Sequence, residues 1–380
     1  MKTYLCNTQE LPFAHGEPRL SGVMRSELAD FKVTEKLGFV PSGSGQHIYY
    51  RINKVGMTTL QVRDALAKHA NCAARDIGYA GLKDKHAHTQ QWFSAQGTIP
   101  LTNSTFKIAE DSPAQWQIVE SQLHRKKLTR GAHKGNVFCL RIRAVDADIT
   151  DAHVLKLFSE RVDCIRSNGF PNYFGDQRFG YHGLNLNRAI DTFISGRRAS
   201  RDKRGLYLSA LRGFLFNELL KLRVAQGNWS RYCEGDLLML NGTNSFFKVT
   251  DQASEQSLES GQAGYQQDQQ DQQDQQAEMN GRLDAGDVHV AGLLFGSHYE
   301  ASAVLAGTYE RQLAEQYPEL IECLNAADIK PARRAFRAIP AFLDWAHEGQ
   351  DIVLDFELPT GSYATMLLRE LLHYRDSSAR

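Results

Sequence analysis

Residues 76–95 read Asp-Ile-Gly-Tyr-Ala-Gly-Leu-Lys-Asp-Lys-His-Ala-His-Thr-Gln-Gln-Trp-Phe-Ser-Ala, and in this stretch a single carboxylate, Asp84, stands between two cations, Lys83 and Lys85. Neighbouring cations favour the ionised form of a carboxyl group, so we expect a carboxylate at neutral pH that suits a nucleophile or a base. The charge pattern taken alone nevertheless favours a solvated hairpin tip, because surface loops commonly carry mixed charges.

Alternating polar and apolar residues on the N-terminal side of this stretch predict strands. Segments 31–35 and 47–55 alternate and are separated by a Gly/Ser/Pro turn at 41–45, which predicts a β-hairpin. Thr58 or Thr59 can cap a helix that follows. Together with two strands around Asp84, the first hundred residues are expected to form a sheet with one packed helix.

The C-terminal side carries similar patterns. Segment 137–143 alternates as a strand, and segment 352–358 has the same character, so we expect the latter to return to the first sheet. The middle of the chain would then be an inserted domain. Within it, residues 234–249 predict a hairpin that turns at Asn241-Gly242.

A low-complexity tract interrupts the middle of the chain. Residues 262–277 consist mainly of Gln and Asp, with one aromatic side chain and no aliphatic one larger than Ala. Such a segment cannot bury enough apolar surface to offset the entropy lost on ordering. We therefore predict a disordered insert over 252–280 with no catalytic role.

Composition limits the class of protein. A chain of 380 residues favours two domains, and its 44 Lys and Arg balance 44 Asp and Glu, so net charge gives no argument for a nucleic-acid partner. The six cysteines are scattered, which argues against a disulfide framework and against a structural zinc site. No signal-peptide core or membrane-spanning run is evident, so we expect a soluble cytoplasmic protein.

Positive charge is concentrated locally. From Gln122 to Phe138 there are five Lys or Arg residues and no acid, and a second basic run lies at 197–204. Basic stretches are often solvated faces, but they also neutralise nucleic-acid phosphates. Between them, residues 169–183 mix aromatic side chains and Arg178 with glycines, which is typical either of a base-stacking loop or of a buried aromatic corner.

Residues 78–91 resemble the G-(F/Y)-A-G-x-K-D-(K/R)-x-A-x-T-x-Q signature of the tRNA pseudouridine synthase D (TruD) family. Segments 30–35, 134–138, 171–180 and 358–370 resemble four further stretches of that family and occur in the same order along the chain. The resemblance therefore covers nearly the whole chain. It implies an α+β fold: a pseudouridine synthase catalytic domain with a mixed, largely antiparallel sheet and an inserted TRUD-type α/β domain.

The resemblance also implies a domain division and an activity. The catalytic domain would comprise 1–168 and 339–380, and the inserted domain 169–338. The implied reaction converts a uridine in tRNA, typically at position 13 of certain tRNAs, to pseudouridine without a metal or an organic cofactor. The implied partner is tRNA; we expect a monomer with no membrane association and no obligate protein partner.

Several site residues follow from the matched positions. Asp84 falls on the family's catalytic aspartate, and Arg25 stands where the family typically has Lys, which keeps the charge but places its donors differently. Phe138 matches the aromatic that would stack on the target base, Asn136 could bind its polar edge, and Phe31 would support the pocket. Supporting roles or phosphate contacts are predicted for Glu35, Lys83, Lys85, Arg125, Lys126, Lys127, Arg130, Lys134 and Arg178.

Two alternatives remain open. The chain could be a catalytically silent tRNA-binding protein or an RNA chaperone, although the intact Lys83-Asp84-Lys85 sequence argues against it. It could instead be a metal-dependent hydrolase that uses Asp84, His86 and His88. A metal site is not predicted, because no further ligand is evident.

Overall fold

The computed structural model describes residues 4, 7–97, 105–107, 113–147, 149–180, 183–249, 274, 276–301 and 304–378. The strands are β1 (Ser21–Met24), β2 (Phe31–Leu37), β3 (His47–Val55), β4 (Gly78–Tyr79), β5 (His88–Gln96), β6 (Thr105–Lys107), β7 (Gln115–His124), β8 (His133–Arg143), β9 (Phe170–Pro171), β10 (Leu237–Leu240), β11 (Phe246–Lys248), β12 (Val288–Leu294), β13 (Ala332–Ala335), β14 (Arg337–Ala338), β15 (Phe342–Glu348), β16 (Asp351–Pro359) and β17 (His373–Asp376). The helices are α1 (Thr59–His69), α2 (Ala152–Asn168), α3 (Leu184–Phe193), α4 (Arg201–Ala225), α5 (276–284), α6 (Leu305–Gln316), α7 (Pro318–Ala326) and α8 (Ala364–Leu371).

The chain divides into two units. The sheet unit comprises Pro18–Arg166, Pro340–Ala364 and Leu371–Arg380. The central unit comprises Met1–Glu17, Ser167–Ile339 and Thr365–Glu370. These bounds lie close to the predicted borders at 168/169 and 338/339 but assign Met1–Glu17 and Thr365–Glu370 to the central unit. The functional division into a catalytic and an inserted domain stays a prediction.

An eleven-stranded sheet forms the sheet unit in the part of the chain that the structure describes. Its order is β15-β16-β8-β2-β5-β3-β7-β6, with β1 bonded to β8 and β17, and β4 bonded to β5. The pairs β2–β5 and β1–β17 are parallel, whereas the other pairs of this sheet are antiparallel. The predicted α+β class with a mixed, largely antiparallel sheet is confirmed.

The predicted hairpin of residues 31–55 is wrong. Strands β2 and β3 both form, but β5 lies between them and hydrogen-bonds to each. The Gly/Ser/Pro turn at 41–45 therefore reverses the chain direction but does not make β2 and β3 hydrogen-bonded neighbours. The predicted return of the C-terminal strand is confirmed, because β16 pairs with β8 from Ile352↔Ile142 to Pro359↔Gly135.

Helix α1 packs on one face of this sheet. Thr58 caps it through a reciprocal bond with Gln61, which confirms one of the two predicted caps. Val62 and Leu66 are buried with Ile52 and Phe93 of the sheet. This apolar layer anchors the strands that flank the Asp84 segment.

The central unit combines a small sheet with helices. Its strands run in the order β11-β10-β12-β13, and β9 pairs with β14. The predicted hairpin at Asn241-Gly242 is confirmed by the antiparallel pairing of β10 and β11. Most of the predicted disordered insert lies outside the described residues, but its end is a correction: residues 276–280 belong to α5, which is held by burial of Met279 and Leu283.

No helix among the described residues is long and apolar enough to cross a membrane.

Candidate active site

Asp84 lies in the segment 80–87 that connects β4 to β5. Hydrogen bonds from inside the sheet unit brace this segment: the Lys83 amide donates to Thr59 Oγ1 at 2.9 Å, and Gln91 Nε2 donates to the Gly81 carbonyl at 3.2 Å. The Asp84 side chain is 36% exposed. The backbone of this segment is thus held by Thr59 and Gln91, while the Asp84 carboxylate reaches solvent.

Arg25 provides the cation that binds Asp84. Its Nη2 donates to Asp84 Oδ2 at 2.9 Å, and its Nη1 donates to Asp376 Oδ2 at 2.5 Å. The guanidinium also lies 4.0 Å from the centre of the Phe31 ring. With only 6% of its side chain exposed, Arg25 is a buried bridge between two carboxylates and an aromatic face.

The backbone at Arg25 is unusual. Arg25 follows β1 directly and has a φ of +60°, a left-handed conformation that costs a non-glycine residue free energy. The turn directs the side chain towards Asp84, while the pairing of Met24 with Asp376 brings the second carboxylate alongside. The sequence offered no indication of Asp376, because its role depends on pairing between the two ends of the sheet unit.

Lys83 precedes Asp84 in the sequence, but its side chain pairs with a different carboxylate. Its Nζ binds Glu35 Oε2 at 2.7 Å, and the side chains of Lys83 and Glu35 are 7% and 0% exposed. The other oxygen of Glu35 accepts a hydrogen bond from the Trp92 amide at 3.1 Å. This is a correction: a buried carboxylate on β2 requires a cation and draws Lys83 inward.

Lys54 is a site residue that the sequence analysis missed. It is fully buried, and its Nζ donates to the backbone carbonyls of Asp84 at 2.7 Å and Met57 at 2.8 Å. Burial lowers the pKa of Lys54 to about 8; Lys83 also lowers it, whereas Asp84 opposes the shift. The available indication was its inward phase on β3, where it continues the buried alternation of Ile48, Tyr50 and Ile52.

Aromatic side chains form a wall next to Arg25. Phe31 meets Phe138 edge to face at 6.2 Å between ring centres, and Phe138 stacks on Phe356 at 5.1 Å. Phe138 keeps 8% of its surface exposed. The predicted aromatic partners are therefore brought together, although most of the Phe138 ring is occupied by protein contacts.

Polar groups occupy the next row of the same strands. Asn136 lies opposite Glu35 in the β2–β8 register, and its Oδ1 is buried without a hydrogen-bond partner among the described residues. His133 lies at the beginning of β8, and burial lowers its pKa, with Lys83 adding to the shift and Glu35 opposing it. Neutral His133 and the Asn136 amide are uncharged hydrogen-bonding groups at neutral pH.

The predicted phosphate-binding residues fall into three groups. Lys85, Arg125, Lys126 and Lys134 are exposed. Lys127 donates to the Arg75 carbonyl, and Arg130 donates to the Tyr79 hydroxyl. Arg178 belongs to the central unit, where its guanidinium lies 4.7 Å from the Phe174 ring centre. Their contacts with RNA stay a prediction.

Within the described ranges, no group of three or more His, Cys, Asp or Glu side chains is placed to hold a metal ion. His86 is exposed, and His88 begins β5. The arrangement around Asp84 can instead supply a partly exposed carboxylate, a fixed guanidinium and neutral polar groups. Such a site can attack an electrophilic carbon or accept a proton.

Comparison with known proteins gives consistent matches. A family model described as tRNA pseudouridine synthase D (TruD) matches residues 9–187 and 188–371. A tRNA pseudouridine synthase D from Methylococcus capsulatus is 37% identical, covering 96% of this chain and 95% of the relative. One from Xanthomonas euvesicatoria is 36% identical, covering 98% and 97%. A Methanosarcina mazei crystal structure described as tRNA pseudouridine synthase D has a TM-score of 0.68 at 20% identity and covers 95% of both chains.

Proposed function

The chain belongs to the tRNA pseudouridine synthase D (TruD) family, and on that premise we propose that it isomerises a uridine of tRNA to pseudouridine with Asp84 as the reacting carboxylate. The proposed target is position 13 of certain tRNAs, without a metal or an organic cofactor. We further propose that the protein acts as a cytoplasmic monomer.

The observation that carries the proposal is the way Asp84 is held. Lys54 binds its backbone carbonyl and Arg25 binds its carboxylate, yet the side chain remains 36% exposed. The carboxylate is therefore fixed in position and still accessible to a substrate. Preorganisation of a reacting group lowers the reorganisation needed at the transition state.

The reaction needs one carboxylate for bond exchange at C1′. In a covalent route, Asp84 attacks C1′ as the bond to uracil N1 breaks; the base rotates, C5 bonds to C1′ as the ester bond breaks, and the C5 proton is lost while N1 gains one. In a glycal route, Asp84 removes the 2′ proton as the same N-glycosidic bond breaks. After the base rotates, C5 bonds to C1′ as the 2′ proton is returned, and the C5 proton is lost while N1 gains one. Both routes are isomerisations with no net gain of atoms or electrons.

The surrounding groups suit an extruded uracil. Enzymes that act on a base take it out of its stack and read its polar edge by hydrogen bonds. Uracil presents an N3–H donor between two carbonyl acceptors, and the primary amide of Asn136 carries both a donor and an acceptor. The exposed part of Phe138 can supply an apolar contact for the ring, and the guanidinium of Arg25 holds the Asp84 carboxylate.

Pseudouridine mapping on an unmodified tRNA pool tests the proposal. The full chain should form pseudouridine at one uridine position and should do so in chelator, with spermidine present to keep the tRNA folded. Absence of pseudouridine from every tRNA would defeat the enzyme hypothesis. Activity lost in chelator and restored by a transition metal would defeat the metal-free mechanism.

A catalytically silent tRNA-binding protein is the second candidate. It predicts tight binding of unmodified tRNA with no pseudouridine formed, so a binding assay run beside the mapping separates it from an enzyme. The partly exposed, doubly held Asp84 favours the enzyme.

A further inference from the structure

A basic cavity lies between α3 and the beginning of α4 in the central unit. Its volume is about 320 Å³, near the lower end of the range of roughly 300–1,000 Å³ that small-molecule sites occupy. The lining side chains are Arg188, Thr192, Arg197, Arg198, Lys203 and Tyr207.

The positive charge of this cavity is largely uncompensated. Arg197 forms an ion pair with Asp191 at 3.3 Å. Arg188, Arg198 and Lys203 form no ion pair with any residue that the structure describes. Since like charges repel, a cluster of this kind is more stable with an anion present.

Two largely buried polar side chains also line the cavity. Thr192 and Tyr207 line the cavity and are each only 7% exposed. Neither side chain makes a hydrogen bond within the described part of the chain. Their hydroxyl oxygens are not among the fully enclosed atoms, so they stay accessible and can donate to an anion in the cavity.

The beginning of α4 adds backbone donors. Ser200 is the N-cap residue of this 25-residue helix, but its side chain makes no capping bond. The amides of the first turn therefore remain available, and the positive end of the helix dipole favours an anion.

We propose that this cavity binds a backbone phosphate of tRNA and is a second RNA contact, separate from the residues around Asp84. The proposal rests on the proposed function for the choice of RNA as the ligand. Guanidinium, ammonium, hydroxyl and amide donors together match phosphate oxygens. The chain has no net charge, so this local concentration of cations provides attraction that the whole protein lacks.

Salt-dependent binding tests the proposal. The variant R198Q/K203Q of the full chain is compared with the control K221Q/K330Q, which removes two exposed lysine charges of the same unit that do not line the cavity. For unmodified tRNA, R198Q/K203Q should reduce the slope of log affinity against log salt by about one, the value for one phosphate contact. The same variant should have a lower kcat/KM because its KM rises while its kcat stays unchanged. Equal slopes and affinities for the two variants would overturn the proposal.

Tyr207→Phe provides a test that leaves the charge unchanged. It removes one cavity-lining hydroxyl and should weaken tRNA binding several-fold without changing the salt slope. Affinity equal to that of the wild-type protein would show that the hydroxyl faces no ligand and would contradict the proposed site.

The two proposals can fail separately. If the wild-type protein forms pseudouridine while R198Q/K203Q binds tRNA like its control, the cavity proposal fails and the enzyme proposal stands. If no pseudouridine forms but R198Q/K203Q lowers the salt slope, the enzyme proposal fails and the RNA contact stands.

Discussion

Consecutive residues of the segment 80–87 form two ion pairs that differ in their access to solvent. Lys83 binds Glu35 in a pair whose side chains are 7% and 0% exposed. Asp84 binds Arg25 in a pair whose carboxylate is 36% exposed. The first pair is sealed inside the sheet unit, whereas the carboxylate of the second pair reaches solvent.

The difference separates anchoring from chemistry. A sealed pair fixes the backbone, because losing either partner leaves a buried charge without compensation. An open carboxylate backed by a guanidinium stays available to a substrate. The sequence Lys83-Asp84 therefore places a structural group and a reacting group next to each other, each directed to a different neighbour.

The largest change in stability is expected when the sealed pair is broken. Glu35→Gln removes the charge that binds Lys83 and should lower the free energy of unfolding by about 3–5 kcal/mol, as for other buried pairs that lose one partner. Urea unfolding measures this loss. A change of less than about 1 kcal/mol would show that the two pairs do not differ as described. The control variant is Lys36→Gln, which breaks the more exposed pair with Glu357 and should leave the free energy of unfolding nearly unchanged.

Breaking the open pair should act on rate. Arg25→Ala frees the Asp84 carboxylate to move and should lower the single-turnover rate about 10²-fold, the scale expected for a misplaced reacting group. Arg25→Lys keeps the charge and is the matched variant, which should retain more of the rate. Equal rates for Arg25→Ala and the wild-type protein at saturating tRNA would contradict the role of this pair.

The smallest effect is expected from Lys54, the buried cation that binds the backbone carbonyl of Asp84. The pKa of Lys54 is lowered to about 8 in the folded protein from 10.5, so between these values the unfolded chain binds more protons. Its contribution to unfolding free energy should therefore rise with pH, by about 1–2 kcal/mol between pH 7 and 9.5. The neutral amine still has two N–H donors for the carbonyls of Asp84 and Met57.

Urea unfolding of the wild-type protein and Lys54→Met at both pH values isolates this contribution, because other titrations cancel in the difference. A difference that stays constant or falls with rising pH would contradict the burial of a charged Lys54.

The local sequence pattern predicted individual strands better than it predicted which strands pair in the sheet. Strands β2 and β3 were predicted from alternation, but the insertion of β5 between them is a tertiary arrangement that the turn at 41–45 does not encode. The resemblance to the family, through the signature for Asp84 and a separate matched position for Arg25, placed the two residues in one site. Charge adjacency misassigned Lys83, because neighbouring residues in an irregular segment need not share a direction.

The contacts that complete the site come from distant parts of the chain. Lys54 reaches Asp84 from β3, and Asp376 reaches Arg25 only because β17 pairs with β1. A charged residue in the buried phase of a strand was the one sequence indication of Lys54. Asp376 offered no such indication, since nothing in its local sequence distinguishes it from a solvated acid.

The single-turnover rate of pseudouridine formation by Asp84→Asn tests the central claim most directly. This change keeps the size of the side chain but removes the charge, and we expect the rate to fall by more than roughly 10³-fold while the protein stays folded and binds tRNA. Full activity in Asp84→Asn would contradict the assignment of Asp84 as the reacting carboxylate.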